Sequence, residues 1–518
     1  MISTDELQKT VNEGLKEIHQ NADVIEAVVY ASANRRTVGR LVYTTHIPSN
    51  GLEEPKSDDD FGVSVEVWFK QGDKKLVGIG QEPNEISVAA VQRAYEKARR
   101  DAVEDPDFYG FLSKDDLATS EFALPAGYHD ASLIDLSVEE EAQLLSDISW
   151  ETISGAAEEI SAYAKERNLS PTEVAFILNG DNFIIRERMA LATTNGFAEV
   201  DESTIVLSFL TAMVESKNAK GSAWGARQHL KDLSAKEIGK EVAQAAIKNI
   251  GGMRVPTGAY DVVFGPQAVA ELFGSLLLPH LTLGLIDFGA SFFSGRFGQT
   301  VASEKLTIYD DPTQPNTAGA KRVTDEGAPT RKTALITNGQ LVGLLADSRL
   351  TKKMHHKAEE ASQHLGSNPH DIRDAIAPHS GFRFALGGGR VAGAGVGTNA
   401  TNLYIEGDTN LADEDVIAQV KDGIYVGRLW YTYPVGGYAS GIISGTVIAD
   451  SYRIRDGKLA EPIVPNSLRI QDNLLTMLQN IMAVSGVSKP TILWASDEIT
   501  HAPIINIKDV HFFEINRG

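Results

Sequence analysis

Three neighbouring segments decide the fold of this chain: TNLYIEGD (401–408), DGIYVGRLWYTYPVGGYASGIISG (422–445) and SYRIRDGKLAEPIVPNSLRIQDNLLTMLQNIMAVS (451–485). In the first two, short runs of Val, Ile and Tyr alternate with glycine turns, a pattern that is typical of β-strands. The third segment contains an apolar spacing that predicts one long helix over 470–484. Strands separated by tight turns therefore dominate this part of the chain.

The same strand-rich pattern begins near Tyr260 and continues through these segments. It is preceded by Gly251-Gly252 and Pro256-Thr257-Gly258, residues that end helices and favour turns. We therefore predict two domains, an N-terminal α+β domain over 1–253 and a β-rich domain over 254–518. The predicted fold class is α+β, with mixed helices and strands first and a large, mostly antiparallel sheet in the second domain.

Helix and strand signals alternate in the N-terminal half. Val63, Val65, Val67 and Phe69 alternate strictly with other residues, which predicts a strand with one apolar face. Three Ser–Glu pairs have the three-residue spacing of a capping box, which marks the start of a helix. These pairs are Ser3–Glu6, Ser137–Glu140 and Ser234–Glu237. The second pair should open a long helix that continues towards residue 167.

The composition is that of a globular protein, with 42% hydrophobic and 23% charged residues. A net charge of −22 argues against direct nucleic-acid binding, because contacts to phosphates need a basic patch. The absence of cysteine excludes disulfides and thiolate metal ligands. No apolar run reaches the ~20 residues that a membrane span needs. Because the N-terminus also lacks a signal-peptide pattern, we expect a cytoplasmic protein without membrane contact.

Five of the twelve histidines lie within residues 355–379. If residues 352–364 form one helix, His356, Glu360 and His364 lie on one face at positions i, i+4 and i+8. Imidazole and carboxylate groups are suitable ligands for zinc. The lysines and glutamates around them are instead typical of a solvated helix surface. A metal site at these three residues stays open as an alternative.

Two further segments have both a structural and a functional interpretation. The glycine run at 386–398 lacks the strand-then-helix context of a nucleotide-binding loop, so a mobile loop or a close backbone approach is the better interpretation. Arg428, Trp430, Tyr431 and Tyr433 should lie along one strand, where their bulk would line a peptide channel. Aromatic residues at strand spacing more often belong to a core or an interface, and both interpretations stay open.

Four stretches carry a resemblance to a known family. They are AVVYASANRRTVGRLVY (27–43), VVFGPQAVAELFGSLLLPHL (262–281), DEGAPTRKTALITNGQLVGLLADSRL (325–350) and the segments within 401–485. Together they resemble the TldD/PmbA (TldE) family, also called the modulator of DNA gyrase family. The stretches occur in the order that this family shows, and they extend over most of the chain.

In TldD-type members of that family, a helix carries the motif His-Glu-x-x-x-His, and a cysteine in the C-terminal domain completes a metal site. The best alignment here sets Gly274, Ser275 and Pro279 at the His, Glu and His positions of the motif. The chain also has no cysteine. The resemblance is therefore closest to the TldE (PmbA) type, which implies neither catalytic residues nor a cofactor in this chain.

The resemblance implies a TldE-like subunit of a heterodimeric metallopeptidase. The partner would be a TldD-type catalytic subunit that holds zinc, and the substrate would be an extended or unfolded peptide, such as a leader peptide. This chain would shape the peptide chamber, with the strand at 428–433 as the candidate substrate contact. Two alternatives stay open: a self-sufficient metal-dependent hydrolase that uses the histidine face at 356–364, and a homodimeric peptide-binding protein.

Overall fold

The computed structural model describes residues 2–47, 51–72, 74–117, 126–385, 387–494 and 496–515. Helices and strands alternate in the N-terminal half, and strands dominate from residue 258 onward. Large, mostly antiparallel sheets together with separate helices confirm the predicted α+β class. Among the described residues, no helix is long and apolar enough to cross a membrane.

One sheet of eight strands forms the centre of the N-terminal half. Its strands are β1 (Val24–Thr44), β2 (Gly51–Leu52), β3 (Lys56–Gln71), β4 (Lys74–Pro83), β5 (Val103–Glu104), β6 (Phe176–Thr193), β7 (Ala198–Val214) and β8 (Ala219–Arg227). They follow the order β5-β4-β3-β1-β6-β7-β8, with β2 paired to β1, and every pairing is antiparallel. The alternation predicted from Val63 to Phe69 is confirmed in β3, where these apolar side chains are buried.

Four helices pack on one face of this sheet. They are α1 (Thr4–Ile18), α2 (Val88–Arg100), α3 (Val138–Glu166) and α4 (Ala235–Lys248). Ser137 and Glu140 form the predicted capping box at the start of α3, and the Ser3 hydroxyl accepts a hydrogen bond from the Glu6 amide at α1. The predicted box at α4 is wrong, although the helix forms. Ser234 has a ψ of 74° rather than extended backbone, so its hydroxyl makes no cap.

The C-terminal half contains a nine-stranded sheet, a six-stranded sheet and a two-stranded pair within the described residues. The strands are β9 (Gly258–Phe264), β10 (Thr307–Asp310), β11 (Thr333–Thr337), β12 (Gln340–Leu341), β13 (Gly381–Phe382), β14 (Gly397–Thr398), β15 (Asn402–Glu406), β16 (Asp422–Val426), β17 (Arg428–Pro434), β18 (Ile442–Ala449), β19 (Tyr452–Arg455), β20 (Lys458–Pro462), β21 (Leu468–Asn473), β22 (Ile481–Val484), β23 (Lys489–Ile492), β24 (Ile499–Ala502) and β25 (Ile505–Glu514).

The nine-stranded sheet has the order β17-β18-β21-β25-β9-β16-β19-β20, with β22 paired to β25. Its pairings are antiparallel except for β9 with β16. The six-stranded sheet has the order β12-β11-β10-β15-β24-β23, and β13 pairs with β14. The predicted large, mostly antiparallel sheet is therefore confirmed. The domain boundary at residue 253 stays a prediction, and each sheet of described residues draws its strands from one side of it.

The helices of the C-terminal half are short: α5 (Pro266–Ala270), α6 (Leu283–Asp287), α7 (Ser348–His356), α8 (Ala358–Leu365), α9 (Asp413–Ala418) and α10 (Leu474–Gln479). The long helix predicted over 470–484 is wrong. Only the middle of that range is α10, because its two ends lie in β21 and β22 and pair with β18 and β25. Pairing within the sheet has overridden a helical apolar spacing.

The second face of the N-terminal sheet meets the C-terminal half across buried charges, which we call the ionic seam. Its members are Glu187 on β6, Asp201 on β7, and Lys321, Asp325 and Arg390 from the C-terminal half. Arg390 lies 2.7 Å from Asp201 and 2.9 Å from Asp325, and Lys321 forms an ion pair with Glu187. All five residues are buried. Each charge has an opposite partner, which offsets the cost of taking ions out of water.

Candidate functional site

Residues 266–281, here called the motif segment, lie where the resemblance places the catalytic motif. The segment begins as α5, continues as a π-helix over Glu271–Leu277 and ends in a 3-10 turn over Leu278–Leu281. Its apolar side chains belong to the largest core cluster of the C-terminal half. They include Leu272, Phe273, Leu276 and Leu277. The motif segment therefore contributes to packing along most of its length.

Gly274, Ser275 and Pro279 offer no imidazole or carboxylate, and they lie in different environments. Gly274 is buried, Ser275 is exposed and Pro279 is half-buried. A Cβ atom on Gly274 would lie 3.0 Å from the Thr500 hydroxyl oxygen, which is closer than ordinary van der Waals contact. An imidazole at position 274 would therefore have to displace Thr500. That these positions are degenerate motif positions stays a prediction.

The motif segment has two titratable side chains, and both are already engaged. Glu271 accepts hydrogen bonds from Thr432 at 2.5 Å and from Gln267 at 3.1 Å. Burial raises the pKa of Glu271. His280 accepts a hydrogen bond from the Phe292 amide at Nδ1, and its ring stacks on the Phe292 ring with 3.7 Å between centroids. Burial lowers the pKa of His280 to about 4, so the imidazole is neutral at pH 7.

These residues do not fit a zinc site. Zinc in a peptidase needs three protein ligands around one point, with each ligand held by a further partner. Across the described parts of the chain, no group of three or more His, Asp and Glu side chains could hold a metal ion. Glu271 and His280 are used in hydrogen bonds that join the motif segment to its neighbours. The motif segment therefore lacks the ligands that would hold a metal ion and activate a water molecule.

Strand β17 lies at the edge of the nine-stranded sheet and carries the four predicted substrate contacts. Tyr431 and Tyr433 are 73% and 50% exposed, whereas Trp430 is half-buried and Arg428 is buried. The pairing with β18 is interrupted between Trp430 and Tyr433, and Tyr431 has a φ of +52°. A bulky residue in the left-handed region is rare and is held there by its surroundings. A role for these side chains in substrate binding stays a prediction.

Two residues that the sequence did not single out attach β17 to the motif segment. The Gln267 amide side chain accepts a hydrogen bond from the Leu429 amide at 3.0 Å, and Thr432 donates to Glu271. These contacts join residues more than 160 positions apart. Local patterns carry no signal for such distant pairs, so the resemblance identified the motif segment but not its polar partners. These hydrogen bonds attach the edge strand β17 to the motif segment.

The histidine face at 356–364 requires one continuous helix over 352–364, and this condition is not met. Helix α7 ends at His356 and α8 begins at Ala358, because Lys357 leaves helical geometry with a ψ of 45°. The His356 ring stacks on Tyr109 at 4.1 Å between centroids, and its Nδ1 bonds to the Lys352 carbonyl. Glu360 is exposed on the second helix. The metal alternative at His356, Glu360 and His364 has lost the common face on which it rested.

Comparison with known proteins agrees with this architecture. Residues 257–513 match the family described as the PmbA/TldA metallopeptidase C-terminal domain. A metalloprotease of Methanothermobacter thermautotrophicus is 27% identical over 252 residues, 48% of each chain. A TldD homologue, named a metalloprotease, from Haemophilus influenzae is 28% identical over 297 residues, 54% of each chain. The chain thus spans about half the length of the curated relatives it matches.

Two solved structures share the fold over nearly the whole chain. TldE from Thermococcus kodakarensis has a TM-score of 0.72 at 18% identity, covering 98% of this chain and 100% of that one. A protein of Thermotoga maritima, described as a candidate modulator of a DNA gyrase, has a TM-score of 0.73 at 18% identity, covering 98% and 99%. At this identity the likeness shows the fold alone.

Proposed function

The chain belongs to the TldD/PmbA metallopeptidase family, and on that premise we propose that it is a TldE-like, non-catalytic subunit of a heterodimeric peptidase. One observation carries the proposal. The motif segment has Gly274, Ser275 and Pro279 where ligands and base would stand, and its other side chains pack in the core. In this proposal the TldD-type partner performs the chemistry, and this chain contributes a surface that positions the peptide.

The donor set supports this assignment. The chain has no cysteine, and Glu271 and His280 are held by Thr432 and Phe292. Bound in a TldD-type partner, zinc would supply the Lewis acid that activates water for peptide hydrolysis. In this chain, Glu271 and His280 instead hold the motif segment against its neighbours.

The edge strand β17 is the surface we assign to the peptide. An edge strand presents unpaired backbone groups, and an extended peptide can bind to such an edge through main-chain hydrogen bonds. Exposed Tyr431 and Tyr433 add apolar area next to that edge. Main-chain hydrogen bonds do not depend on the side chains of the peptide. The substrate class would therefore be unfolded or leader peptides rather than one specific sequence.

The test is co-expression with a TldD-type chain from the same organism. We expect a 1:1 complex with one zinc that cleaves an unstructured peptide such as labelled casein, and no cleavage by either chain alone. The matched control is the same complex in which the motif glutamate of the TldD-type chain is changed to Gln; it should assemble and be inactive. Cleavage by this chain alone, with stoichiometric zinc, would contradict the proposal.

A double variant of the strand tests the peptide surface separately. Tyr431→Ala with Tyr433→Ala should leave the complex assembled and raise KM by ~5- to 150-fold, since two aromatic contacts of about 0.5–1.5 kcal/mol each sum to about 1–3 kcal/mol. Trp150→Ala, an exposed aromatic on α3, is the control. An unchanged KM would remove β17 from the proposal.

A further inference from the structure

A cleft of about 200 Å³ lies between the second face of the N-terminal sheet and the C-terminal half. One wall is apolar and comes from Phe183 and Ile185 on β6 and from Ile205, Leu207 and Phe209 on β7. These side chains share a face because Phe183 pairs with Leu207 and Ile185 pairs with Ile205. Ile492 at the end of β23 and Leu493, Trp494, Ser496 and Asp497 beyond it line the opposite wall. Apolar side chains therefore contribute to both walls of the cleft.

One arginine links a wall of the cleft to the edge strand. Trp494 lines the cleft and is 76% exposed, so its ring is available to a ligand. Phe209 also lines it, and the Arg428 guanidinium lies 5.0 Å from the centre of the Phe209 ring. Arg428 begins β17. A peptide on β17 is thereby adjacent to the opening.

Among the described residues, the charged side chains that line the cleft form ion pairs, with one exception. Lys321 pairs with Glu187, Arg36 with Asp58, and Arg40 with Asp181. Asp497 accepts hydrogen bonds from the amides of Gly387 at 2.9 Å and Gly389 at 2.8 Å, and among the described residues it forms no ion pair. The lining therefore has one carboxylate without a cation in contact.

We propose that this cleft is a subsite for the side chain of a lysine or arginine in the bound peptide. Such a side chain has an apolar stem and a cationic tip. The stem matches the apolar wall, the tip complements Asp497, and Trp494 offers a ring face at the mouth. An aromatic side chain also matches the apolar wall, but it brings no cation to the Asp497 carboxylate. The inference rests on the proposed role in peptide handling and adds a preference for basic residues.

The experiment measures binding of labelled, unstructured octapeptides to the full chain by fluorescence anisotropy. One position holds Lys, norleucine, Phe or Glu in a Gly/Ser/Ala background. Norleucine matches the lysine stem without its charge. We expect the Lys peptide to bind about tenfold more tightly than the norleucine peptide, the effect of about 1.4 kcal/mol. Equal affinities, or a Phe peptide that binds more tightly than the Lys peptide, would overturn the proposal.

Two variants separate charge from shape. Asp497→Asn should abolish the Lys preference while it leaves the affinity for norleucine peptide unchanged, and Asp371→Asn, an exposed carboxylate outside the cleft, should change neither. Trp494→Ala should weaken the Lys and norleucine peptides together, whereas Phe288→Ala, 84% exposed elsewhere, should have no effect. A Lys preference that survives Asp497→Asn would contradict the assignment.

A pH titration of the unchanged chain gives a test that needs no variant. Burial raises the pKa of Asp497 to about 6. The charge of Glu187 raises the pKa of Asp497 and that of Lys321 lowers it. Glu498, whose pKa burial raises to about 7, follows Asp497 in the chain. The cation is bound by the ionised carboxylate, so the Lys preference should be full above about pH 7 and lost as the pH falls through 6. A preference that is constant over this range would count against Asp497.

These measurements use the chain alone. If the peptides bind as expected but no complex with a TldD-type chain forms, the subsite stands and the heterodimer proposal fails. If the complex forms and cleaves peptides but no residue at the varied position changes affinity, the heterodimer proposal stands and the subsite fails.

Discussion

The motif segment and the ionic seam differ in their content of buried charge. The motif segment lies where a catalytic relative would hold metal ligands, yet its residues are mainly apolar and its Glu271 and His280 are bound to neighbours. The seam lies where no chemistry is expected, and it buries Arg390 between two carboxylates. The buried charges of the seam therefore join the two halves. The motif segment, by contrast, packs in the core of the C-terminal half.

The largest expected effect is in the seam. Arg390→Met should destabilise the fold by ~3–5 kcal/mol, because it leaves Asp201 and Asp325 buried without a cation. Chemical denaturation gives the free energy of unfolding. Arg455→Met is the matched control, since Arg455 is half-exposed in its ion pair with Glu461 and such pairs contribute ~0–1 kcal/mol.

An Arg390→Met chain as stable as the control would show that the seam is dispensable for stability. A triple change of Arg390→Met, Asp201→Asn and Asp325→Asn removes all three charges together. The triple variant should recover part of the lost stability, since no uncompensated charge stays buried.

The second prediction concerns the motif segment. Gly274→His should destabilise the chain by ~1–3 kcal/mol, because the new side chain overpacks the contact with Thr500. Ser275→Glu, at an exposed position, should stay within about 0.5 kcal/mol. With Pro279→His added, the triple variant should still hold no stoichiometric zinc by elemental analysis. Stoichiometric zinc in that variant would show that the segment is a dormant site rather than core.

The third prediction uses an unpaired carboxyl beside the seam. Glu326 is half-buried and accepts hydrogen bonds from the Ser348 amide and hydroxyl, and among the described residues it forms no ion pair. Burial, with the nearby Asp347 charge, raises the pKa of Glu326 to about 8 from its usual 4.5. Between these pH values the folded chain keeps a proton that the unfolded chain releases. The contribution of Glu326 to stability is therefore full below pH 4.5 and lost as the pH rises through 8.

Glu326→Gln removes this titration while it keeps an acceptor for Ser348. Its stability relative to the unchanged chain should increase by about 1 kcal/mol or more between about pH 5 and 8, measured by thermal or chemical unfolding. Glu359→Gln, at an exposed position on α8, should give a difference that does not depend on pH. If the stability difference between Glu326→Gln and the unchanged chain did not change with pH, Glu326 would be ionised in the folded chain, like the paired carboxylates of the seam.

Local sequence patterns correctly predicted the strands and helix starts that depend on neighbouring residues. The alternation from Val63 to Phe69 and the Ser137 box gave a strand and a helix that the structure confirms. The helix predicted over 470–484 is wrong, because apolar spacing alone does not reveal pairing with β18 and β25. The continuous helix that the metal alternative required over 352–364 is broken at Lys357, which spacing does not reveal either. The contacts of Glu271 with Thr432 and of Arg390 with Asp201 join residues far apart in the chain. Only the folded chain brings these groups together.

The smallest expected effect belongs to the histidines, which test the comparison from a third region. His356→Ala and His364→Ala together should change the free energy of unfolding by no more than ~1 kcal/mol, since His356 is exposed and loses a surface stack on Tyr109 and an exposed hydrogen bond to the Lys352 carbonyl. Zinc content, measured by elemental analysis of the full chain, should not change either. His280→Ala is the contrasting variant, because loss of its buried stack on Phe292 should cost ~2 kcal/mol or more.

If zinc were instead bound in a 1:1 ratio and lost with His356 and His364, the exposed turn between α7 and α8 would be a metal site. The packed motif segment would then say nothing about whether this chain is catalytic, since its chemistry would have moved elsewhere.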